Sequence, residues 1–241
     1  MFRYANPTKF MKLSGTLLPW LVVLTVASFG IGLYGGLLVA PPDYQQGETV
    51  RIMFVHVPAA TLAMGCYVFM AIASLVSIVW KHPLADVAAK SAAPIGACFT
   101  FLALVTGSLW GKPMWGAWWV WDARLTSMLI LFFLYLGYIA IWQTIEEPIS
   151  AGRVAAILAL VGAINIPIIK FSVVWWNSLH QPASLITMEG PKIHASILWP
   201  LLVMMLGFGL LFSVLLMISM RSEVIKRRIR SIHITKVEGF G

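Results

Sequence analysis

Charged side chains are scarce in this sequence, and their scarcity excludes an ordinary soluble domain. Only 11% of the 241 residues are charged and 60% are hydrophobic, whereas a soluble domain of average composition carries about 25% charged residues. Long uncharged apolar runs are typical of helices that cross a bilayer. The composition therefore predicts an integral membrane protein.

Cysteine is nearly absent as well. The chain has two, Cys66 and Cys98, each inside an apolar run with no second cysteine two or three residues away. This spacing excludes a zinc ribbon, a C-x-x-C redox pair and a C-x-x-C-H haem attachment site. A disulfide between them has no support in the sequence, and we interpret both as small apolar packing residues.

The sequence also lacks the motifs of nucleotide chemistry. No G-x-x-x-x-G-K-[ST] occurs, which argues against ATP hydrolysis by a P-loop in this chain. The formal net charge of +8 would suggest nucleic acid in a soluble protein, but in a membrane protein basic residues chiefly set the topology. We expect no nucleic-acid partner.

Six apolar runs are long enough to cross a bilayer, for which a helix needs about 20 residues. Because the lipid core offers no hydrogen-bond partners to the backbone, the spanning segments are expected to be helices. The predicted fold is a single all-α membrane domain, residues 1–241, with spans near 17–40, 52–80, 92–109, 125–142, 154–175 and 193–220. A basic tail, residues 221–241, follows the last span and is interpreted as a solvated anchor near anionic lipid.

An even number of spans puts both termini on one side of the membrane, and the basic residues indicate which side. Of the 17 lysines and arginines, 12 fall on the side of the termini and five on the other. Short loops rich in lysine and arginine stay in the cytoplasm. We therefore predict cytoplasmic termini and an external loop between spans three and four.

This predicted external loop is unusually rich in tryptophan. Residues 110–126 read WGKPMWGAWWVWDARLT, with five tryptophans in the first twelve positions. An aromatic belt at the membrane interface accounts for one or two tryptophans at a helix end, but not for this density. The glycines and the proline between the rings are expected to break helical order. We predict an apolar surface for a ligand or partner, called the tryptophan platform and formed by Trp115, Trp118, Trp119 and Trp121.

Three of the five histidines are predicted on the external side at similar depth. His56 lies early in the second span, His180 just after the fifth, and His194 at the start of the sixth. Imidazole is a common ligand of metals and of haem iron. His56 and His180 have apolar and aromatic neighbours, whereas His194 follows Pro191 and Lys192. We rank His56 and His180 first as a ligand pair and His194 third.

Charged residues at the edge of the platform narrow the choice of ligand. Asp122 and Arg124 stand at the start of the fourth span, where the carboxylate can cap the helix or hold the arginine. The guanidinium of Arg124 suits a carboxylate, and so does that of Arg51, with Lys112 a weaker candidate. A flat apolar ligand with carboxylates at its rim and a metal that takes two imidazoles matches this set. Haem has these properties, and we predict haem b as the cofactor.

The stretch from Trp115 to Arg124, W-G-x-x-W-x-W-D-x-R, resembles the tryptophan-rich WWD signature of haem-handling proteins in cytochrome c maturation. With six apparent spans and an external histidine on either side of the signature, the chain is similar to the CcmC family along nearly its whole length. The resemblance implies that His56 and His180 are axial ligands of the iron, and that the platform contacts both the haem edge and a haem chaperone.

The same resemblance implies a biological setting. Proteins of this family present haem at the outer face of the bacterial inner membrane and load it onto the haem chaperone CcmE. They work beside the ABC-type subunits CcmA and CcmB and the small protein CcmD. We therefore expect a multi-pass inner-membrane protein with its haem site facing the periplasm. Because no catalytic dyad is visible, we expect it to position haem for attachment to the chaperone without being an enzyme.

Two other interpretations remain open. In one, the chain is a membrane subunit without haem, its tryptophan-rich loop docks a partner, and its histidines are structural. In the other, it is an electron-transfer cytochrome b, which usually carries four histidines within the bundle for two haems. The sequence offers no internal histidine pair at cytoplasmic depth, which argues against a cytochrome b. A haem Soret band that follows the chaperone would separate these interpretations.

Overall fold

The computed structural model describes residues 6–176, 178–180 and 190–238. All regular elements in this part of the chain are helices, and six helical segments are long and apolar enough to cross a membrane. The predicted all-α class and number of spans are therefore confirmed. The α-helices are α1 (Pro7–Tyr34), α2 (Met53–Trp80), α3 (Ala85–Trp115), α4 (Ala123–Thr144), α5 (Pro148–Gly162), α6 (Asn165–Trp175) and α7 (Ala195–Glu238).

Two short turns connect α1 to α2 at one end of the bundle. α1 closes in a π-helical turn, Gly35–Val39, and a 3-10 turn, Glu48–Ile52, leads into α2. A Cβ on Gly36 would lie 2.7 Å from the ring of Phe54. Only glycine allows the end of α1 to approach the start of α2 this closely.

The centre of the bundle is formed by α2, α3 and α4, which pack through small residues and three buried tyrosines. Tyr135 on α4 donates its hydroxyl to the carbonyl of Ala63 on α2 at 2.8 Å. A Cβ on Gly96 of α3 would lie 2.3 Å from the Tyr135 hydroxyl oxygen. Small residues of this kind let membrane helices approach closely, so Gly96 fixes the spacing of α3 and α4.

The fifth span is broken into α5 and α6 between Gly162 and Asn165. The buried side chain of Asn165 donates to the carbonyl of Ser127 on α4 at 2.9 Å. A polar side chain inside a membrane bundle needs such a partner, because the alternative is an unsatisfied amide in an apolar interior. This bond fixes α6 against α4, and so places the segment that follows α6 beside the start of α4.

The first turns of α1 and the later part of α7 meet at one end of the bundle, called here the terminal end. Arg221 on α7 donates its Nη1 to the carbonyl of Met11 at 2.6 Å and to Ser14 Oγ on α1 at 2.9 Å. α7 continues as a helix to Glu238, far beyond the predicted end of the sixth span at residue 220. The first part of the basic tail is thus a packed helix.

Four charged residues, called here the charge cluster, hold this part of α7 against α3. Lys90 pairs with Glu223 at 2.8 Å, and Asp86 pairs with Arg227 at 2.6 Å. The Lys90 ammonium also lies 4.6 Å from the centroid of the Trp142 ring on α4. The interpretation of residues 221–241 as a solvated anchor was therefore wrong for Arg221 and Arg227, which pair with other helices. Lys226, Arg228 and Arg230 are exposed. Charges that are paired between helices look the same in the sequence as charges in water.

The opposite end of α3 also extends beyond its predicted limit. The predicted span covered residues 92–109, but α3 passes through Gly111 and Pro113 and ends at Trp115. The helix stops at Gly116, whose φ of 75° lies in the left-handed region that favours glycine. The expectation that the proline and the earlier glycine break the helix was wrong, and the connecting loop shortens to residues 116–122.

The two cysteines are free thiols. Cys66 is buried within the core, as the packing interpretation predicts. Cys98 is exposed at the surface of the bundle, so for this residue the packing interpretation was wrong.

Candidate functional site

The predicted site residues lie at the end of the bundle opposite the terminal end, called here the tryptophan end. Three helix ends and one short segment meet there. α2 carries His56 close to its start, α3 finishes at Trp115, and α4 begins next to Asp122. The segment after α6 contributes His180, which contacts both Trp115 and Asp122. The structure therefore joins parts of the chain that are far apart in sequence.

Asp122 is both the N-cap of α4 and the partner of His180. Its Oδ1 accepts the amide of Leu125 at 2.7 Å, one of the amides left without a partner at the start of a helix. Its Oδ2 accepts from Ser178 Oγ at 2.5 Å and from His180 Nδ1 at 2.9 Å. An ionised carboxylate only accepts hydrogen bonds, so the Nδ1 of His180 carries a hydrogen.

The surroundings of this pair favour a neutral imidazole beside an ionised carboxylate. Burial lowers the pKa of His180; the bonded Asp122 raises it and Arg124 lowers it, and the net result is a pKa below the ordinary value. Burial raises the pKa of Asp122, but hydrogen bonds from Ser178, the Leu125 amide and His180 outweigh it and lower that pKa. At neutral pH the Nε2 of His180 therefore keeps its lone pair.

His56 is anchored in a similar way by α3. Its Nδ1 lies 3.0 Å from Thr106 Oγ1, and its ring meets that of Trp110 edge-on with centroids 5.6 Å apart. A Cβ on Gly107 would lie 3.0 Å from His56 Cε1. Glycine at that position leaves room for the imidazole between α2 and α3.

The two predicted arginines differ in their surroundings. Arg124 is close enough to both histidines to interact with them electrostatically, and its Nε donates to Ser172 Oγ at 3.3 Å. Arg51 lies at the junction of α1 and α2, where its Nε pairs with Glu48 at 2.5 Å and its Nη1 donates to the carbonyl of Gly36 at 2.9 Å. The structure brings Arg124 to the histidines and ties Arg51 to the end of α1.

The tryptophan platform has an inner pair, Trp115 and Trp119, which are partly buried, and an outer pair, Trp118 and Trp121, which are exposed. Trp115 meets His180 edge-on with ring centroids 4.7 Å apart, and Trp119 meets Trp121 in the same manner at 5.5 Å. Trp118 and Trp121 are 55% and 75% exposed. The indole N–H of Trp119 is buried and has no hydrogen-bond partner among the described residues. A buried donor of this kind costs free energy unless a ligand or water accepts from it.

His194 has a different role from the other two histidines at this end. It is exposed, and its Nδ1 contacts the amide of Ser196 at 3.3 Å and the Ser196 hydroxyl at 2.8 Å. These contacts lie at the start of α7, where helix amides need acceptors. The ring of His194 therefore contacts the first turn of α7.

Several contacts at the site were missed in the sequence. Thr106 and Ser178 bond to the two histidines, and Trp110 packs on His56 while donating its Nε1 to Gln46 Oε1 at 3.0 Å. A hydroxyl in an apolar span is a recognisable signal for a contact between helices, which applies to Thr106. Ser178 stands two residues before His180, the spacing of a local side-chain turn.

Two further tryptophans extend the exposed aromatic surface beyond the predicted platform. Trp175 and Trp176, at the end of α6, are 55% and 51% exposed, and Trp175 stacks on Phe171 with centroids 5.4 Å apart. They lie two to three residues before Ser178. Their signal in the sequence was the pair of adjacent tryptophans, which reads as an ordinary aromatic belt when taken alone.

A six-span helical bundle with two histidines and a tryptophan-lined surface at one end defines a class of multi-pass membrane protein. Comparison with known sequences identifies the family. Residues 1–235 match the family described as CcmC, heme exporter protein C. The chain belongs to this family.

Individual relatives cover nearly the whole chain. The heme exporter protein C of Bradyrhizobium diazoefficiens is 61% identical over 228 residues, which are 95% of this chain and 86% of the relative. The proteins of the same name from Paracoccus denitrificans and Escherichia coli K12 are 46% and 45% identical, and each alignment covers at least 93% of both chains. The resemblance seen in the tryptophan-rich stretch therefore extends over the complete bundle.

Proposed function

We propose that this protein binds haem b at the tryptophan end of the bundle, with His56 and His180 as the axial ligands of the iron. The observation that carries the proposal is the state of the two imidazoles. Each has its Nδ1 engaged by a neighbouring side chain, and the two rings pack against Trp110 and Trp115 in the last two turns of α3. Imidazoles held through one nitrogen are suited to bind a metal through the other. The relatives from Bradyrhizobium diazoefficiens and Escherichia coli K12 are named as heme exporters.

The residues around the histidines fit the rest of a haem group. Trp115 and Trp119 offer apolar ring surface, and the partnerless indole N–H of Trp119 is a donor that a bound group can satisfy. Arg124, which acts on both histidines, is the first candidate to hold a propionate. Arg51 is the second, and it would first have to leave Glu48.

The exposed part of the platform supports a role in delivery. Trp118 and Trp121 are the most exposed members of the platform, and an exposed aromatic surface of this kind is typical of a contact with a partner. The proposed partner is a CcmE-like haem chaperone. The wider complex contains the ABC-type subunits CcmA and CcmB together with CcmD.

The direction of delivery follows from the charge distribution. The terminal end carries the excess of lysine and arginine, which favours the cytoplasm for that end. The haem site then faces the periplasm in the bacterial inner membrane. From there the site can present haem during the maturation of c-type cytochromes.

The proposed action of the chain is positioning. His56 and His180 would hold the iron, Trp115 and Trp119 would offer apolar surface to the haem, Arg124 would bind a carboxylate, and the exposed Trp118 and Trp121 would remain for the chaperone. Haem itself supplies the reactive groups for covalent attachment to the chaperone. The contribution of this chain is orientation and ligand tuning, without acid–base catalysis of its own.

The test is the absorption spectrum of the protein purified with its chaperone. We expect a Soret band with bis-histidine features, and its loss or a change of ligation in His56→Ala and in His180→Ala. His194→Ala is the matched control and should retain the band. Wild-type spectra in both single variants would refute the ligand assignment. A wild-type protein that never carries haem would favour a subunit whose platform only docks a partner.

A further inference from the structure

The hydrogen bonds behind His56 determine which of its nitrogens carries the hydrogen. The hydroxyl of Thr106 has one hydrogen, which it donates to the carbonyl of Leu102 at 2.7 Å. Towards His56 the same oxygen can then only accept. The contact of 3.0 Å between Thr106 Oγ1 and His56 Nδ1 therefore requires a hydrogen on Nδ1. The Nε2 of His56 is left with a free lone pair.

The hydrogen bonds behind His180 give the same tautomer by a different route. Asp122 Oδ2 is an acceptor, and it takes hydrogen bonds from His180 Nδ1 and from Ser178 Oγ. Ser178 Oγ in turn accepts from the backbone amide of His180 at 3.2 Å. The imidazole, the hydroxyl and the carboxylate form a closed arrangement, in which the Asp122 side chain is only 7% exposed.

The two hydrogen-bond acceptors behind the histidines therefore select the same tautomer but differ in charge. A neutral hydroxyl accepts from His56, and a carboxylate accepts from His180. An anionic acceptor draws the Nδ1 hydrogen more strongly and raises the electron density on the ring, which makes the opposite nitrogen a more basic ligand. Each ring is also fixed by the edge of a tryptophan, Trp110 for His56 and Trp115 for His180.

We propose that Thr106 and the pair Asp122–Ser178 are positioning residues that fix both histidines as Nδ1–H tautomers with Nε2 available to iron, and that His180 is the stronger electron donor of the two. This proposal rests on the proposed function, since it assigns unequal strength to the two proposed ligands. One carboxylate oxygen of Asp122 then accepts from His180, and the other caps α4. This role replaces the alternative raised from the sequence, in which Asp122 holds Arg124.

The tautomers are measured first in the haem-free protein, so that the result does not depend on haem binding. In protein labelled with ¹⁵N-histidine at pH 8, we expect His56 and His180 to show hydrogen on Nδ1. Thr106→Val removes the hydroxyl acceptor without changing the shape of the side chain. Because the carbonyl of Ala103 stays as a second acceptor for the ring, we expect a partial shift of the His56 tautomer towards Nε2–H and none at His180. Thr106→Ser keeps the hydroxyl and should behave as wild type. An Nε2–H tautomer at either histidine in the wild-type protein would overturn the assignment.

The unequal strength of the ligands is measured as the reduction potential of bound haem. Asp122→Asn removes the anionic acceptor but retains a good helix cap, so the fold should persist. We expect ferric haem to lose at least tenfold more affinity than ferrous haem, which corresponds to a rise of about 59 mV for one electron. Thr106→Val should give a smaller shift and Thr106→Ser none.

These results separate the two proposals. If His56→Ala and His180→Ala change the ligation while Asp122→Asn keeps the wild-type potential, the unequal-donor proposal fails and the haem site stands. A shift in Thr106→Val as large as that in Asp122→Asn also refutes the unequal-donor proposal. If neither histidine variant affects haem, the proposed function itself fails.

Discussion

The two ends of the bundle use polar and aromatic residues in opposite ways. At the terminal end, the charge cluster pairs its members across α3 and α7, and the cation of Lys90 lies over Trp142. At the tryptophan end, each imidazole is held through its Nδ1, and two tryptophans of the platform are mostly exposed. Both ends contain buried N–H groups without a partner among the described residues, Trp119 Nε1 at the tryptophan end and Trp142 Nε1 and Arg227 Nη2 at the terminal end. The terminal end is held by ion pairs between its own helices, whereas the tryptophan end exposes aromatic rings that a ligand or partner can cover.

This difference separates stability from function. Unsatisfied polar groups and exposed apolar surface cost free energy, and proteins accept that cost mainly where a ligand or a partner will cover them. Paired charges between helices fix the relative position of those helices instead. We expect substitutions at the tryptophan end to affect haem binding with little effect on stability, and substitutions at the terminal end to do the reverse.

The largest expected effect is the loss of a histidine ligand. In His180→Ala the iron loses the proposed stronger donor, and we expect haem affinity to fall by more than a hundredfold. The free energy of unfolding of the haem-free protein should change by less than about 1 kcal/mol, because the side chain is partly exposed and Asp122 keeps its hydrogen bonds from Ser178 and from the Leu125 amide. A haem titration monitored by absorption measures the affinity, and thermal unfolding of the haem-free protein measures the stability. If His180→Ala lost haem and also lost much more than about 1 kcal/mol of stability, the division of roles between the two ends would be contradicted.

The converse experiment removes a charge from the terminal end. Arg227→Ala leaves Asp86 without its partner, and we expect the protein to lose about 1–3 kcal/mol, between the values for exposed and buried pairs. Haem affinity should stay at the wild-type value. Lys226→Ala, at an exposed neighbouring position on α7, is the control and should change stability by less than about 0.5 kcal/mol.

A pair of tryptophan substitutions compares the same side chain at both ends. Trp119→Phe removes a buried N–H that lacks a partner in the described structure, so the lost apolar area is offset and stability should stay within about 1 kcal/mol of wild type. Its haem affinity should fall several-fold. Trp142→Phe likewise removes a buried N–H that lacks a partner in the described structure, weakens the contact with Lys90 by about 0.5–1 kcal/mol and should leave haem bound. Unaltered haem affinity in Trp119→Phe would exclude its N–H as a ligand contact.

The smallest expected effect is the dependence of the tryptophan end on pH. The pKa of His180 is lower in the folded protein than in the unfolded chain, so its contribution to stability is complete above pH 6.5. That contribution is lost as the pH falls through the lowered folded value. Asp122 stays ionised over this range because its own pKa is lowered. Haem affinity should be constant from pH 8 to 6.5 and decline only at lower pH. In His180→Ala this decline should shrink.

The sequence predicted the helical framework because the signals for it are local. Apolar runs define spans through their length, and tryptophan density marks one end, whatever the other helices do. The limits of the helices were less predictable. α3 reaches Trp115 and α7 reaches Glu238 because a helix can leave the hydrocarbon and continue in contact with its neighbours, which composition does not reveal.

The sequence by itself determined the six spans, and it predicted the tryptophan platform and His56 and His180 as the leading ligand pair. Tertiary structure alone decided that Asp122 faces His180, that Thr106 faces His56, and that α7 is fastened to α3 by the charge cluster. The physical reason is the separation of the partners along the chain. Hydrogen bonds and ion pairs between residues 50 to 141 positions apart exist only after the helices have packed, and no local pattern encodes which side chains will then meet.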